Sequence, residues 1–517
     1  MKRIGTRKVL FAFVWLTAVV QVFAGRSFSS DGFKYTIMKD GVSLSLTGYQ
    51  PVTGVDYSQT LHIPAHITYN GKAYSVKRIA PKAFKGVTEV QSVVVDEGIE
   101  NIGSNAFECC VNLKSIHLPT SVESIGEGLF GSCYNLVSVV VAVGNECYDS
   151  RNNSNAIIDT DNDELLVACS STRIPASVRS IGDFAFYHCN VMEKLVIPNG
   201  VETIGNNAFF GCSSLKTVSL PETLAEIGGD AFCGCNSLTS ILIPKNVVRI
   251  GNGNVFAGCG SLASIVVDDA NPQYDSRSDC NGIVRKADSA LVATCRATTI
   301  GNDISVLGSY CFYGTAIHSV NIPKSVTEIH ESAFDGCGVI DEMTVAADNP
   351  AYMSPEGSNA ILSRDGRTLF FGCRTTVIPH GVETIGNNAF MGRYSRLMLR
   401  IPETVKTIGL FAFSGCDDLS EVIIPQSVQS VGAYAFSGCS NLSAVQILVP
   451  LKRIDDNTFS RCYNLSAVSL PAGIEVIDSY AFSSCRNLEH ISIPSSVIKV
   501  EGTAFENCPV SERVGSF

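Results

Sequence analysis

The chain has 517 residues, 45% of them hydrophobic and 17% charged, which makes it a packed protein and not a disordered one. A formal charge of −11 argues against a nucleic-acid partner and discourages contact with anionic membranes. Taken in order, the segment from Met1 to Ala24 reads as an export signal. Lys2, Arg3, Arg7 and Lys8 supply a positive region and Val9 to Val20 a short apolar run. Val22-Phe23-Ala24 places small residues where a signal peptidase reads, predicting a cut after Ala24. The apolar run is too short to span a bilayer, and no later segment is long and apolar enough.

Residues 25–75 predict an N-terminal β-hairpin cap. Phe33-Lys-Tyr-Thr-Ile and Val42-Ser-Leu-Ser-Leu-Thr alternate apolar and polar residues around the turn Lys39-Asp40-Gly41. A second hairpin is expected at Tyr69-Asn-Gly-Lys, where Asn70-Gly71 suits a tight reversal. A stacked array has a raw apolar end, and these hairpins are placed to cover it.

From residue 76 to 510 one motif returns, marked by phenylalanine at positions such as Phe107, Phe209, Phe232, Phe413, Phe436 and Phe482. The interval is about 23 residues, with slips of one either way and three long gaps such as Phe130 to Phe186, and a fixed period of this size means a repeat solenoid. Within Asn112-Leu-Lys-Ser-Ile-His-Leu-Pro119, alternate residues point inward, so each coil contributes a short strand pairing in parallel with its neighbours. Ser-Val-x-x-Ile-Gly then forms a return side, its glycine read as permitting a bend. Ala-Phe-x-Gly-Cys closes the coil as a single helical or 3₁₀ turn, with the rings stacked in a column. The long gaps hold inserts near 143–170, 269–296 and 347–374, each read as a hairpin that replaces one return side and projects from it. Counting three hidden coils, the array has about eighteen. Residues 511–517 form a short tail.

The repeated string L-x-x-V-x-I-P-x-S-V-x-x-I-G-x-x-A-F-x-G-C resembles the BspA-like leucine-rich-repeat family. The Tyr–Ser–Asn-Ala-Ile insert at 148–157 looks like members from the Bacteroidota. The resemblance implies a leucine-rich-repeat solenoid of short parallel strands and turns, secreted or held at a cell surface. It also implies an adhesin that binds host matrix or cell-surface proteins.

Cysteine would ordinarily suggest disulfides in an exported chain. Here the cysteines keep register with the repeat: Cys212, Cys416, Cys439 and Cys485 each lie three positions after a repeat phenylalanine. Parallel side chains in a column do not aim their Cβ vectors at one another, so a buried free-thiol ladder is expected. Any bridge is expected at off-register cysteines such as Cys109 and Cys147. No catalytic constellation, metal site or cofactor motif is evident. The acidic run Asp159-Thr-Asp-Asn-Asp-Glu164 lacks the glycine and distal glutamate of a calcium loop and reads as a solvated turn.

What remains for function is the outward strand face. Its fifth repeat slot includes Val140, Val196, Ser219, Leu242 and Val266, an apolar strip that can mark a protein-binding site. No aromatic residue appears in the outward rows, which argues against a sugar clamp. The leading expectation is a non-catalytic protein-binding scaffold. A second is a structural surface protein that self-associates through its solenoid end.

Overall fold

A computed structural model describes residues 25–54, 60–393, 398–449 and 451–510. The signal segment 1–24 and the tail 511–517 lie outside the described residues. The chain forms a β-solenoid of about eighteen coils, divided into two compact units. The first takes residues up to 238 with 246–251, and the second 239–245 with residues from 252 onward. Among the described residues no helix is long and apolar enough to cross a membrane.

In the first unit the expected hairpins are present. Phe33–Ile37 pairs antiparallel with Ser43–Tyr49, and His66–Tyr69 with Lys72–Ile79. Asp40 accepts backbone N–H groups from Val42 and Ser43, while Asn70 and Gly71 both take positive φ, the geometry a tight hairpin turn demands. Ser43–Tyr49 then pairs in parallel with Lys72–Ile79, which continues to Asn101–Ile102 and Ser124–Ile125. The cap is thus hydrogen-bonded into the return side of the solenoid. Leu61–Ile63, within the same N-terminal stretch, pairs with Ser92–Val95 and is already a rung of the strand face.

Each coil has three walls. On the strand face, Ser115–Leu118 lies in parallel register between Ser92–Val95 and Ser138–Val141, one repeat away on either side. Ile116 and Leu118 are buried, and His117 is exposed. The return side stacks two-residue strands such as Thr203–Ile204, Glu226–Ile227 and Arg249–Ile250. The third wall is a ladder of backbone bonds between coils, for example from Phe209 N–H to Ala231 O at 2.8 Å. In the second unit Phe390, Phe413, Phe436, Phe459, Phe482 and Phe505 form a column with centroids 4.8–5.5 Å apart and near-parallel rings. This is the offset stacking that aromatic quadrupoles favour. Phe186, Phe209 and Phe232 stack the same way in the first unit, where Phe107 stacks on Phe84.

Two local expectations are corrected. The Ala-Phe-x-Gly-Cys segment is a turn and not a helical one, because residues such as Asn207 and Gly211 take positive φ and break any helical run. Among the described residues 3₁₀ structure occurs only in two inserts, at Arg151–Asn153 and Arg277–Asp279. The glycine of Ile-Gly has ordinary φ, and its reason is close approach. A Cβ on Gly228 would stand 2.5 Å from the carbonyl carbon of Gly205, and one on Gly409 would stand 2.7 Å from Asn387 N.

The inserts also differ from expectation. Ala156–Asp159 and Glu164–Ala168 pair antiparallel as a hairpin, but Glu164–Ala168 continues in parallel to Ser180–Ile181. The hairpin therefore lies within the return wall instead of projecting from it, and Ala156, Ile157 and Ile158 are fully buried. Gly282–Arg285 with Ala290–Thr294 and Ala360–Ser363 with Thr368–Gly372 repeat the arrangement. Each insert, like the N-terminal cap, is an antiparallel meander that starts a new parallel ladder.

All twenty cysteines are free thiols, those off the repeat register included. In the regular coils the thiol donates to the carbonyl of the phenylalanine one coil earlier. Cys212 reaches Phe186 O at 3.2 Å, Cys416 reaches Phe390 O at 3.2 Å, Cys439 reaches Phe413 O at 3.1 Å and Cys485 reaches Phe459 O at 3.2 Å. At Phe186, Phe390 and Phe413 the thiol is a second donor to a buried carbonyl, beside the backbone N–H of Cys189, Arg393 and Cys416. Burial pushes the Cys212 and Cys462 thiols up to about 12.

Candidate binding surface

The strand face is not one continuous sheet. Within the second unit it breaks between Ser264–Val267 and Ser319–Ile322, and again between Glu342–Val345 and Met398–Arg400. In the first unit it breaks between Ser138–Val141 and Lys194–Val196. Every one of these breaks falls at an insert.

The five residues singled out on this face lie on three separate sheets. Val140 is 37% exposed and stands beside His117. Val196, 73% exposed, pairs with the exposed Ser219. In the second unit Leu242 and Val266 are direct cross-strand partners, 54% and 46% exposed. Ser240 and Ser264 pair on the same outward face, so one side of that apolar pair is lined by small hydroxyls, while Asp268 follows Val266 two positions on. Ion pairs between coils, such as Lys216–Glu193 at 3.0 Å and Lys406–Glu383 at 2.7 Å, are exposed; the Lys406 ammonium holds Glu383 below its usual carboxylate range. Exposed pairs of this kind add little stability.

A side chain from the insert closes the strand edge that faces it. The Ser150 hydroxyl accepts from Val141 N–H at 2.9 Å and donates to Ala156 O at 2.7 Å. Ser276 accepts from Val267 N–H at 3.0 Å and donates to Gly282 O at 2.9 Å. Ser354 donates to Met343 O at 3.3 Å. Just upstream, the Asn145 amide bonds Pro119 O and Val122 O while its oxygen accepts from Cys147 and Tyr148 N–H. Asn349 repeats this pattern with Pro323 O, Val326 O and the N–H groups of Ala351 and Tyr352. Beyond the hairpin, Thr172 and Thr298 donate to Asn155 O and Asn281 O, each at 2.6 Å. These polar residues were missed as a set. Aligning the three inserts on Asn-x-x-Tyr-x-Ser and Cys-x-x-Thr would have found them.

Past the second insert, Arg296 to Ile300 and Ala316 to Asn321 line a groove of about 550 Å³. A shallower groove of about 450 Å³ runs over Glu421, Ala444, Ala467 and His490. Among the described residues no group of three His, Cys, Asp or Glu side chains is arranged to hold a metal ion. In the acidic turn, Asp159 Oδ1 is spent accepting the N–H groups of Asp161 and Asn162.

Residues 66–160, 166–278, 292–352 and 383–511 match the BspA type leucine rich repeat region (6 copies). The chain belongs to the BspA-type leucine-rich-repeat family. Among solved structures, this family member is similar to a leucine rich cell surface protein from Faecalibacterium prausnitzii, at 22% identity, with 94% of this chain and 93% of that one covered and a TM-score of 0.37. A leucine-rich repeat protein from Bacteroides ovatus is 25% identical, with 93% and 92% covered and a TM-score of 0.34. One from Eubacterium ventriosum is 21% identical, with 68% and 92% covered and a TM-score of 0.41. No curated protein matches the chain.

Proposed function

We propose that this BspA-type protein is an exported, non-catalytic scaffold that binds another protein through its strand face, as an adhesin for host matrix or cell-surface proteins. The observation that carries the reading is the exposed cross-strand pair Leu242–Val266, set among serines on a rigid parallel sheet. Apolar side chains held this far out of a sheet gain free energy when a partner covers them, and a rim of small hydroxyls lets the partner approach closely. Export rests on the basic and apolar segments at residues 1–24.

The test is binding of the purified chain to immobilised extracellular-matrix proteins and to bacterial surface extract, in parallel with the Leu242→Glu and Val266→Glu variants. Both variants are expected to fold normally, because the substituted side chains already face water. Binding is expected to fall at least tenfold, because burying a carboxylate against an apolar partner outweighs the free energy of a tenfold change in affinity. Unchanged binding by both variants would remove this surface from the reading. Concentration-dependent self-association without any ligand would favour an assembly protein instead.

A further inference from the structure

The strand Ser319–Ile322 has a partner on one side only. Glu342 N–H bonds His318 O at 3.2 Å and Ala346 N–H bonds Ile322 O at 2.9 Å, so this strand pairs in parallel with Glu342–Val345. In a parallel ladder alternate residues direct both N–H and C=O to the same neighbour. His318, Val320 and Ile322 therefore serve the following coil, and Ser319 and Asn321 turn their backbone groups the other way. On that side lies the groove of about 550 Å³, whose far wall is the segment Arg296 to Ile300, which forms no strand and whose Thr299 N–H is spent on Cys280 O. Among the described residues nothing bonds the Ser319 or Asn321 backbone there. The edges entering each insert are closed by Ser150, Ser276 and Ser354; this edge, leaving the second insert, has no such plug. An open strand edge is a template for another chain.

We infer that this edge captures an extended segment of a partner protein, which adds as a β-strand along Ser319–Asn321 inside the groove. The backbone supplies two donors and two acceptors in a row, an arrangement that fits an extended polypeptide. The buried Ile317 and half-buried Ile300 on the groove lining would receive one apolar side chain of the segment. Arg296 is exposed on the same lining and makes no ion pair among the described residues, so it selects a carboxylate near that apolar residue. The inference rests on the protein-binding reading but uses a different surface from Leu242 and Val266.

The probe is a random peptide library displayed against the purified full chain, followed by synthesis of the tightest sequences. Recovered peptides are expected to pair an apolar residue with a nearby acidic one and to slow amide exchange across residues 319–322. Replacing the bonded amide of the peptide by an N-methyl group, or Asn321→Pro in the protein, is expected to weaken binding about tenfold, the worth of one well-made backbone bond. The N-methyl peptide keeps the test valid should the proline variant misfold. Recovery of no peptide, protection confined to other residues, or indifference to both backbone changes would overturn the inference. Loss of binding in Val266→Glu with none in Asn321→Pro would overturn it while leaving the strand-face reading in place.

Discussion

Two stretches of the second unit solve one packing problem differently. From Phe390 to Phe505 the coils are regular: rings stack face to face, and each cysteine thiol satisfies the phenylalanine carbonyl one coil back. Around the third insert that neighbour is missing, because the hidden coil has no repeat phenylalanine. There Phe371 packs edge-on against Phe334, and Gly372 leaves room for the Phe390 ring, which a Cβ would meet at 1.9 Å. Arg393 occupies the cysteine slot and is buried. Its guanidinium reaches Phe334 O at 2.5 Å, Gly372 O at 3.2 Å and Asn388 O at 2.6 Å. A thiol is too short to reach a carbonyl two coils away, and a guanidinium is long enough. The repeat motif thus records what the adjacent coil offers as much as what its own coil needs.

The largest effect expected from breaking the regular stretch is Phe436→Ala. Phe436 has ring neighbours at 5.3 and 5.5 Å and is fully buried, so truncation should cost about 3–5 kcal/mol, the lost burial of the ring and the cavity it leaves together. Because a solenoid loses stability locally, amide exchange should rise first in the coils flanking Phe436, ahead of any shift in the first unit. Uniform change across the chain would count against coil-by-coil stacking.

A somewhat smaller loss is expected from Arg393→Met, at about 3 kcal/mol by urea denaturation. It removes the guanidinium's bonds to Phe334 O, which keeps only the Cys337 N–H, and to Gly372 O, and it leaves Asp335, whose Oδ1 lies 3.8 Å from the guanidinium, without that cation. Burial already raises the Asp335 pKa, so part of the cost is relieved by protonation of that carboxyl. Arg393→Cys sharpens the comparison. If the motif alone set the slot, cysteine would restore stability; because the distance sets it, the variant should be as unstable as methionine.

Much of this architecture could be read before any coordinates. The phenylalanine beat located the coils, the alternation in Ser115–Leu118 showed which side faces in, and the turns at Gly41 and Asn70-Gly71 marked the cap. Failures came where the cause is a contact between coils. The Ile-Gly glycine, of which Gly228 and Gly409 are copies, reads from sequence as a bend because a glycine's own sequence does not show the backbone packed 2.5–2.7 Å from its missing side chain. Arg393 was visible only as a departure from Ala-Phe-x-Gly-Cys, and its purpose needs the position of Phe334. The open edge at Ser319–Asn321 was illegible, since strand pairing across an insert depends on where the returning chain lands. Of the candidate surface, the exposure of Leu242 and Val266 was foreseen, but its division into separate sheets was not.

The smallest effect, counted per thiol and per pH unit, concerns pH and applies to the regular coils more than to the insert-bearing ones, since they hold the continuous thiol ladder. An unperturbed thiol titrates near 9.0, whereas burial raises Cys212 and Cys462 to about 12 and raises Cys439 as well, and a hydrogen bond with Cys508, followed by burial, raises Cys485. Below pH 9 both folded and unfolded chains keep these protons, and stability does not depend on them. Between about 9 and 12 the unfolded chain releases protons that the folded chain retains, so stability falls as pH rises, by up to about 1.4 kcal/mol per thiol and pH unit. Denaturation midpoints should be flat from pH 7 to 8.5 and then decline. Cys439→Ala with Cys462→Ala should reduce the slope, while burial of Tyr35, which shifts in the same direction, leaves a remainder. At neutral pH a thiol reagent should label the half-exposed Cys109, Cys147 and Cys233 ahead of the ladder. A midpoint independent of pH up to 10, with rapid labelling of Cys439, would mean that the thiols are open to water and that the carbonyls they serve are bonded by something else.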